Sequence, residues 1–119
     1  SILFCNDEFI QELNKNYREI DAPTDILSFE NGEEYTDEDG SKWFSAGDII
    51  ISLDTLPKNA EYFKVTQNEE LKRLLIHGTL HLNGMDHGEE HVGEGLEIKS
   101  PMLKKQEEVL KTFSDVELI

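Results

Sequence analysis

The sequence predicts one domain in which short buried strands and amphipathic helices follow each other, so that helices pack against a sheet. Residues 49–51 are all isoleucine, a β-branched run that predicts a central strand covered by helices. The first predicted strand leads directly into apolar residues at helical spacing. A chain of 119 residues is long enough for one hydrophobic core and too short to divide comfortably into two.

The predicted strands lie in the first half of the chain. They are apolar runs bounded by turn-forming residues and occupy residues 2–5, 26–29, 43–45 and 48–53. A strongly acidic, glycine-containing stretch, residues 31–42, separates the second strand from the third. We expect it to be an exposed hairpin loop. A calcium-binding loop is the weaker alternative, because the stretch lacks the full ligand pattern of such a loop.

Caps and apolar periodicity predict four helices. The expected N-caps, in chain order, are Asn6 or Asp7, Asp54, Thr66 and Ser100. The third helix starts with a capping box at residues 66–69 and has an apolar face that extends to Leu82. His77 and His81 fall at the edge of that face. We therefore expect this helix to pack on the sheet and present both imidazoles to a cleft.

The composition disfavours several classes of protein. No wholly apolar run is longer than the four residues 2–5, so no membrane span is expected, and no signal-peptide pattern is recognisable. Cys5 is the only cysteine, so no internal disulfide is expected and a reducing cytoplasm is the expected compartment. The chain begins at Ser1 rather than Met, from which we expect an N-terminal piece to be absent.

The charge balance argues against broad electrostatic binding to nucleic acid. The chain has 26 acidic and 11 basic residues, a net charge of −15, and its only arginines are Arg18 and Arg73. Nucleic-acid surfaces rely on clustered lysine and arginine. Any RNA partner is therefore expected to be engaged locally.

Three histidines at close spacing predict a metal site. His77 and His81 are four residues apart, which places them one helical turn apart on the same face. Gly84 is suited to end the helix in a left-handed conformation, so that the turn brings His87 back to the first two rings. Three imidazoles with a fourth position left for water are typical of catalytic zinc, although nickel and iron are chemically acceptable.

The alternative is that these histidines are solvated or hydrogen-bonded side chains. A pair four residues apart occurs by chance in many helices, but the chain has only four histidines and three of them fall in this pattern. The spacing also coincides with the metal-binding pattern of metzincin proteases. Those enzymes place a glutamate after the first histidine, whereas this chain has Gly78, which disfavours peptide hydrolysis. Gly78 instead predicts a close approach by substrate or by another part of the backbone.

Three ordered blocks of sequence resemble one family. Residues 77–87 are similar to the signature of the YbeY family of bacterial metal-dependent endoribonucleases, with Met85 where that family usually has tyrosine. Residues 13–29 resemble the family's other characteristic segment, and residues 47–52 resemble its central strand. The three blocks are spread over residues 13–87, a range that takes in most of the chain.

The resemblance implies an α+β fold in which a small mixed β-sheet is packed by helices and one zincin-like helix binds the metal. It implies a single metal-dependent hydrolase domain over residues 1–119, with the N-terminal strand and helix of the family expected to be absent. The implied activity is endonucleolytic cleavage of single-stranded RNA in rRNA maturation, at the 3′ end of 16S rRNA, and in ribosome quality control. The implied partners are rRNA in the small ribosomal subunit and ribosome-associated proteins, with no DNA or membrane partner.

The resemblance also suggests roles for individual residues. His77, His81 and His87 would hold one zinc ion, which lowers the pKa of its water toward ~7 and so generates hydroxide for attack on a phosphodiester. Arg18 lies in the second matching block and, with His77, is a candidate catalytic residue. Guanidinium matches phosphate geometry and keeps its charge, although a plain surface arginine is the alternative.

Two questions stay open in the sequence. The proton acceptor is unassigned among Asp25, Asp48 and Asp86, each of which has an equally good structural explanation. The function also has alternatives, namely a zinc hydrolase of a non-RNA ester or amide, and a non-catalytic ribosome-assembly factor whose metal is structural. The structural version requires a fourth protein ligand.

Overall fold

Three strands and four helices form the part of the chain that the computed structural model describes, residues 1–85 and 100–119. In chain order they are β1 (Ile2–Cys5), α1 (Asp7–Arg18), β2 (Ile26–Thr36), β3 (Lys42–Ser52), α2 (Thr55–Phe63), α3 (Gln67–Leu82) and α4 (Pro101–Thr112). The strand order is β1-β3-β2, with β1 parallel and β2 antiparallel to β3. This small mixed sheet with its helices confirms the predicted α+β class.

The isoleucine run of β3 organises the core, as predicted for a central strand. Ile49 and Ile51 pack on one side of the sheet with apolar side chains of α2 and α3, namely Leu56, Leu71 and Leu74. Ile50 points to the other side, where it packs with Ile10 of α1 and Leu27 of β2. Because successive side chains of a strand alternate between faces, three consecutive isoleucines fill both layers.

Gly78 is where α3 approaches the sheet most tightly. A Cβ atom at this position would lie 3.0 Å from the Cδ1 atoms of both Ile26 and Ile49. The prediction that Gly78 admits substrate or backbone is therefore wrong, since sheet side chains occupy the space. The glycine lets α3 lie close to the sheet, while His77 and His81 face a cleft beside it.

The acidic connector differs from its prediction. β2 continues to Thr36 and β3 begins at Lys42, so only residues 37–41 form the loop of the hairpin. Cross-strand pairs such as Tyr35 opposite Trp43 extend the ladder, and aromatic pairs of this kind stabilise strands despite the acidic residues between them. The register shifts between Glu30 and Glu33, which marks an irregularity midway along the ribbon.

The predicted residues Asn6, Asp54, Thr66 and Ser100 lie at the N-cap positions, and Asn6 and Thr66 cap their helices through their side chains. Asn6 Oδ1 accepts a hydrogen bond of 2.9 Å from the backbone N–H of Phe9, which satisfies the start of α1. Thr66 caps α3 in the same way, through a 3.1 Å bond from Glu69 N. Glu69 does not complete the capping box, because its carboxylate lies 2.7 Å from Lys72 Nζ. In residues 1–85 and 100–119, no helix combines the length and apolarity that crossing a bilayer requires.

Asp7 joins the start of α1 to β3 and α2, and we expect it to stabilise the fold in a pH-dependent way. Its Oδ1 accepts hydrogen bonds from Ser52 Oγ at 2.6 Å and Thr55 Oγ1 at 2.5 Å, and these bonds lower the pKa of Asp7 below its ordinary value of 3.8. The stabilisation is fully present above pH 3.8 and is lost as the pH falls through the lowered pKa of the folded state. Asp7→Asn should therefore unfold at lower denaturant than the wild type at pH 7, and the difference should shrink in acid.

Urea unfolding of the two proteins across a pH series measures this difference. Glu8→Gln, which removes an exposed charge in the same first turn of α1, is the control and should track the wild type. A difference between wild type and Asp7→Asn that stays constant down to the acid limit would contradict the role given to the charge.

Candidate active site

A cleft of about 880 Å³ lies beside β2, between the C-terminal end of α1 and helices α3 and α4. It brings together residues that are far apart in the sequence. Its chemistry-bearing side chains include Tyr17, Arg18, Arg73, His77, His81 and Gln106. The prediction that α3 presents both histidines to a cleft is confirmed, and Arg18 lines the same cleft.

His77 and His81 face each other one turn apart on α3. Their Nε2 atoms are 3.0 Å apart, and their rings meet nearly edge to face, with centroids 4.6 Å apart. Two nitrogens on a tetrahedral zinc, each about 2.0–2.1 Å from the metal, lie roughly 3.3 Å apart. If both rings are neutral, the 3.0 Å contact between the two Nε2 atoms is a hydrogen bond. The pair therefore fits a shared metal with little adjustment.

The turn after α3 has the predicted form. The helix ends at Leu82, and Gly84 adopts the left-handed conformation, with φ of 82°. His87 lies outside the described residues, as does Asp86. Within residues 1–85 and 100–119, no three His, Cys, Asp or Glu side chains converge as a metal-binding group, so the described part of the site is the histidine pair.

Gln106 of α4 holds the ring of His77. Its Oε1 lies 2.7 Å from His77 Nδ1, and its side chain is buried, with 2% of the residue exposed. Gln106 Nε2 lies 3.4 Å from Glu107 Oε2, and because a carboxylate only accepts, this contact favours the orientation in which the amide oxygen faces the histidine. In this orientation the amide oxygen accepts a hydrogen bond from Nδ1–H of His77, the tautomer that leaves the Nε2 lone pair facing the cleft.

Gln106 was not among the residues predicted for the site. The apolar residues of α4 predict a core-packing helix, and the structure confirms this for Met102, Leu103 and Leu110. Gln106 is three residues after Leu103 and four before Leu110, so it is a polar residue in the middle of an apolar stripe. A polar group at such a position needs a buried partner, and this signal in the sequence points to Gln106 without identifying His77.

The two arginines of the cleft differ in what they contact. Arg73 NH1 lies 2.8 Å from Glu70 Oε1, and its Nε lies 3.4 Å from Glu107 Oε2. Burial raises the pKa of the Glu70 carboxyl, while the adjacent Arg73 opposes that rise. Arg18 is exposed, and among the described residues no hydrogen bond or ion pair engages it. Of the two guanidinium groups, only that of Arg18 is therefore available to an anion without displacing a carboxylate.

The fold also distinguishes between the candidate proton acceptors, because it places them in different surroundings. Asp25 lines the cleft, where its Oδ2 accepts a 2.9 Å hydrogen bond from Asn59 Nδ2. Asp48 instead accepts a hydrogen bond from the hydroxyl of Ser1 and is not one of the cleft residues. Of the three carboxylates considered, Asp25 is the one that the described structure brings to the cleft.

Comparison with known proteins gives one consistent family. The sequence model described as Endoribonuclease YbeY matches residues 1–114. A protein of Treponema denticola named Endoribonuclease YbeY is 58% identical over 99% of this chain and 72% of its own length. Proteins with the same name from Treponema pallidum and Aquifex aeolicus are 53% and 41% identical, each over 92% of this chain and over 65% and 71% of their own lengths.

A solved structure shares the fold. The solution structure of a Thermotoga maritima protein aligns with a TM-score of 0.57 and 30% sequence identity. The alignment covers 96% of this chain and 67% of that protein. The chain thus spans roughly two thirds of the length of the relatives it matches.

Proposed function

This chain belongs to the endoribonuclease YbeY family, and on that basis we propose that it is a metal-dependent hydrolase domain that cleaves single-stranded RNA. The observation that carries the proposal is the cleft that holds a facing histidine pair and an arginine with no carboxylate partner among the described residues. The first feature suits a metal and the second suits a phosphate. Their presence in one cleft favours hydrolysis of a phosphodiester.

We propose that His77, His81 and His87 hold the metal, with zinc best suited to three imidazoles. When bound, zinc supplies Lewis acidity and makes a water molecule more acidic. Gln106 orients the ring of His77, and Arg18 binds the phosphate and stabilises the charge that develops on it. Asp25 is the proposed proton acceptor, because of the two candidate carboxylates that the structure describes it is the one that lines the cleft.

We propose further that the substrate is rRNA presented by the small ribosomal subunit, in rRNA maturation and ribosome quality control. The net charge of −15 supports this, because it opposes long-range attraction to naked RNA. A ribosome or a protein partner would supply the affinity that the surface of the domain lacks. Binding to free RNA is therefore expected to be weak and to decrease further with added salt.

The proposed activity is tested with zinc-loaded protein and four substrates. These are single-stranded RNA, duplex RNA, single-stranded DNA of the same sequence, and RNA within small ribosomal subunits. Cleavage of single-stranded RNA that stops on chelation and returns with added zinc supports the proposal. Zinc-dependent turnover of ester substrates without any RNA cleavage would contradict it and favour the alternative hydrolase.

We expect Gln106→Leu to weaken metal binding by about 10–100-fold, the usual effect of losing an outer partner of a ligand histidine. Leucine fills similar space but accepts no hydrogen bond, so the ring of His77 loses its fixed orientation and tautomer. Competition with a chromophoric chelator measures zinc affinity without reference to activity. Gln106→Glu keeps an acceptor at the same position and should retain most of the affinity, whereas equal affinity of Gln106→Leu and wild type would contradict the assignment.

A further inference from the structure

Tyr17 places an exposed aromatic ring on the wall of the cleft. It lies on α1 directly before Arg18, 68% of the residue is exposed, and both side chains line the cleft. Its ring packs against Phe29 of β2, with centroids 5.2 Å apart and planes inclined at 68°. Phe29 is half-buried and supports Tyr17 from the sheet side. An aromatic ring held in this way but open to solvent has no evident role in the core.

The charge of the protein determines which contacts can attract RNA to this cleft. A net charge of −15 opposes long-range attraction of the phosphate backbone, and Arg73 in the cleft is already paired with two carboxylates. Stacking of bases on aromatic rings depends little on net charge and contributes about 1–3 kcal/mol per base. It also requires an unpaired base, because a base within a duplex has both faces covered.

We propose that Tyr17, supported by Phe29, is a stacking site for one unpaired nucleobase of the substrate, next to the phosphate that Arg18 binds. The inference rests on the proposed function, since it assigns the base that neighbours the phosphate in that same cleft. Adjacent side chains on α1 thus take the two parts of one nucleotide, its base on Tyr17 and its phosphate on Arg18. The site accepts any base, because each base has a π-face, and it explains a preference for single strands.

The experiment compares kcat/KM for two RNAs that differ only in their bases. One is a single-stranded oligonucleotide, and the other has abasic nucleotides around the cleavage position, so that backbone charge is unchanged. Tyr17→Ala should lower kcat/KM on the intact RNA about 5- to 100-fold, mainly through KM, since stacking supports ground state and transition state alike. Tyr17→Phe keeps the ring and should therefore have the kcat/KM of the wild type on the intact RNA. On the abasic RNA, wild type and Tyr17→Ala should be equal.

Tyr62 provides a matched control within the same chain. It is 69% exposed and packs nearly edge to face on Phe63, with centroids 4.9 Å apart, but it is not one of the cleft residues. Tyr62→Ala should leave kcat/KM unchanged on both RNAs. Equal loss in Tyr62→Ala and Tyr17→Ala would overturn the proposal, because it would show a general effect of removing a surface aromatic ring.

The remaining outcomes separate this proposal from the proposed function. A wild-type enzyme that cleaves intact and abasic RNA equally well overturns the stacking site and leaves the endoribonuclease activity standing. This comparison needs no variant, so it holds even where Tyr17→Ala fails to fold. A zinc-loaded wild type that cleaves neither RNA, free or in the small subunit, overturns both proposals together.

Discussion

Replacing His77 by alanine is expected to remove zinc binding and RNA cleavage together. The substitution deletes one of the two nitrogens that face each other at 3.0 Å and also leaves the oxygen of Gln106 without its partner. Loss of an outer partner alone typically lowers metal affinity or activity by about 10–100-fold, so loss of a ligand should exceed that range. Metal analysis after dialysis and a single-stranded RNA cleavage assay of the same preparation measure the two effects.

Two further variants are compared with His77→Ala, one expected to show the same loss and one expected to show none. His81→Ala removes the facing nitrogen and should show the same combined loss. Thr79→Ala changes an exposed residue of the same helix and should keep both metal and activity. RNA cleavage that is equal in wild type and His77→Ala would point to a contaminating nuclease and refute the assignment, whatever the metal content.

Substitution of Arg18 by alanine is expected to reduce kcat about 100- to 1,000-fold while zinc affinity stays at the wild-type level. Loss of one preorganised group that stabilises transition-state charge usually costs this much. The side chain lines the cleft, is exposed and has no ion-pair partner among the described residues, so its removal should not disturb the fold. Single-turnover cleavage with saturating enzyme isolates the effect on the chemical step from binding.

A nearby lysine supplies the control for Arg18. Lys15 is also exposed and lies in the last turn of α1, but it is not one of the cleft residues. Lys15→Ala removes the same charge and should leave the single-turnover rate unchanged. Arg18→Lys keeps the charge but loses the two-pronged geometry, so partial activity is expected. A rate for Arg18→Ala close to that of Lys15→Ala would show that Arg18 is an ordinary surface arginine.

Local signals in the sequence predict most of the fold. The isoleucines at 49–51, the caps at Asn6 and Thr66 and the left-handed Gly84 each act through neighbours a few residues away, and each lies where the sequence predicts. The sequence predicts hairpin strands that are shorter than those in the structure. Their extension depends on pairs across the two strands, such as Tyr35 with Trp43. Such pairing is not encoded in the composition of either strand alone.

Part of the site is also predictable from local signals in the sequence. His77 and His81 are neighbours on one helix, so their spacing alone predicts that they meet. Gln106 reaches His77 only because α4 packs on α3, and a periodic pattern in one helix does not identify its partner on another. The position of Arg18 in the same cleft likewise depends on how α1 and α3 are placed around the sheet. Family resemblance predicts a role for Arg18, whereas spacing does not.

The contact between Gln106 and His77 also bears on when the site becomes competent during synthesis. The ribosome makes the chain from its N-terminus, so α3 and its histidines emerge well before α4. Until α4 has emerged and docked, nothing from that helix holds the ring of His77. The ring of His77 therefore gains its contact with Gln106 only once α4, which follows α3 in the chain, has docked.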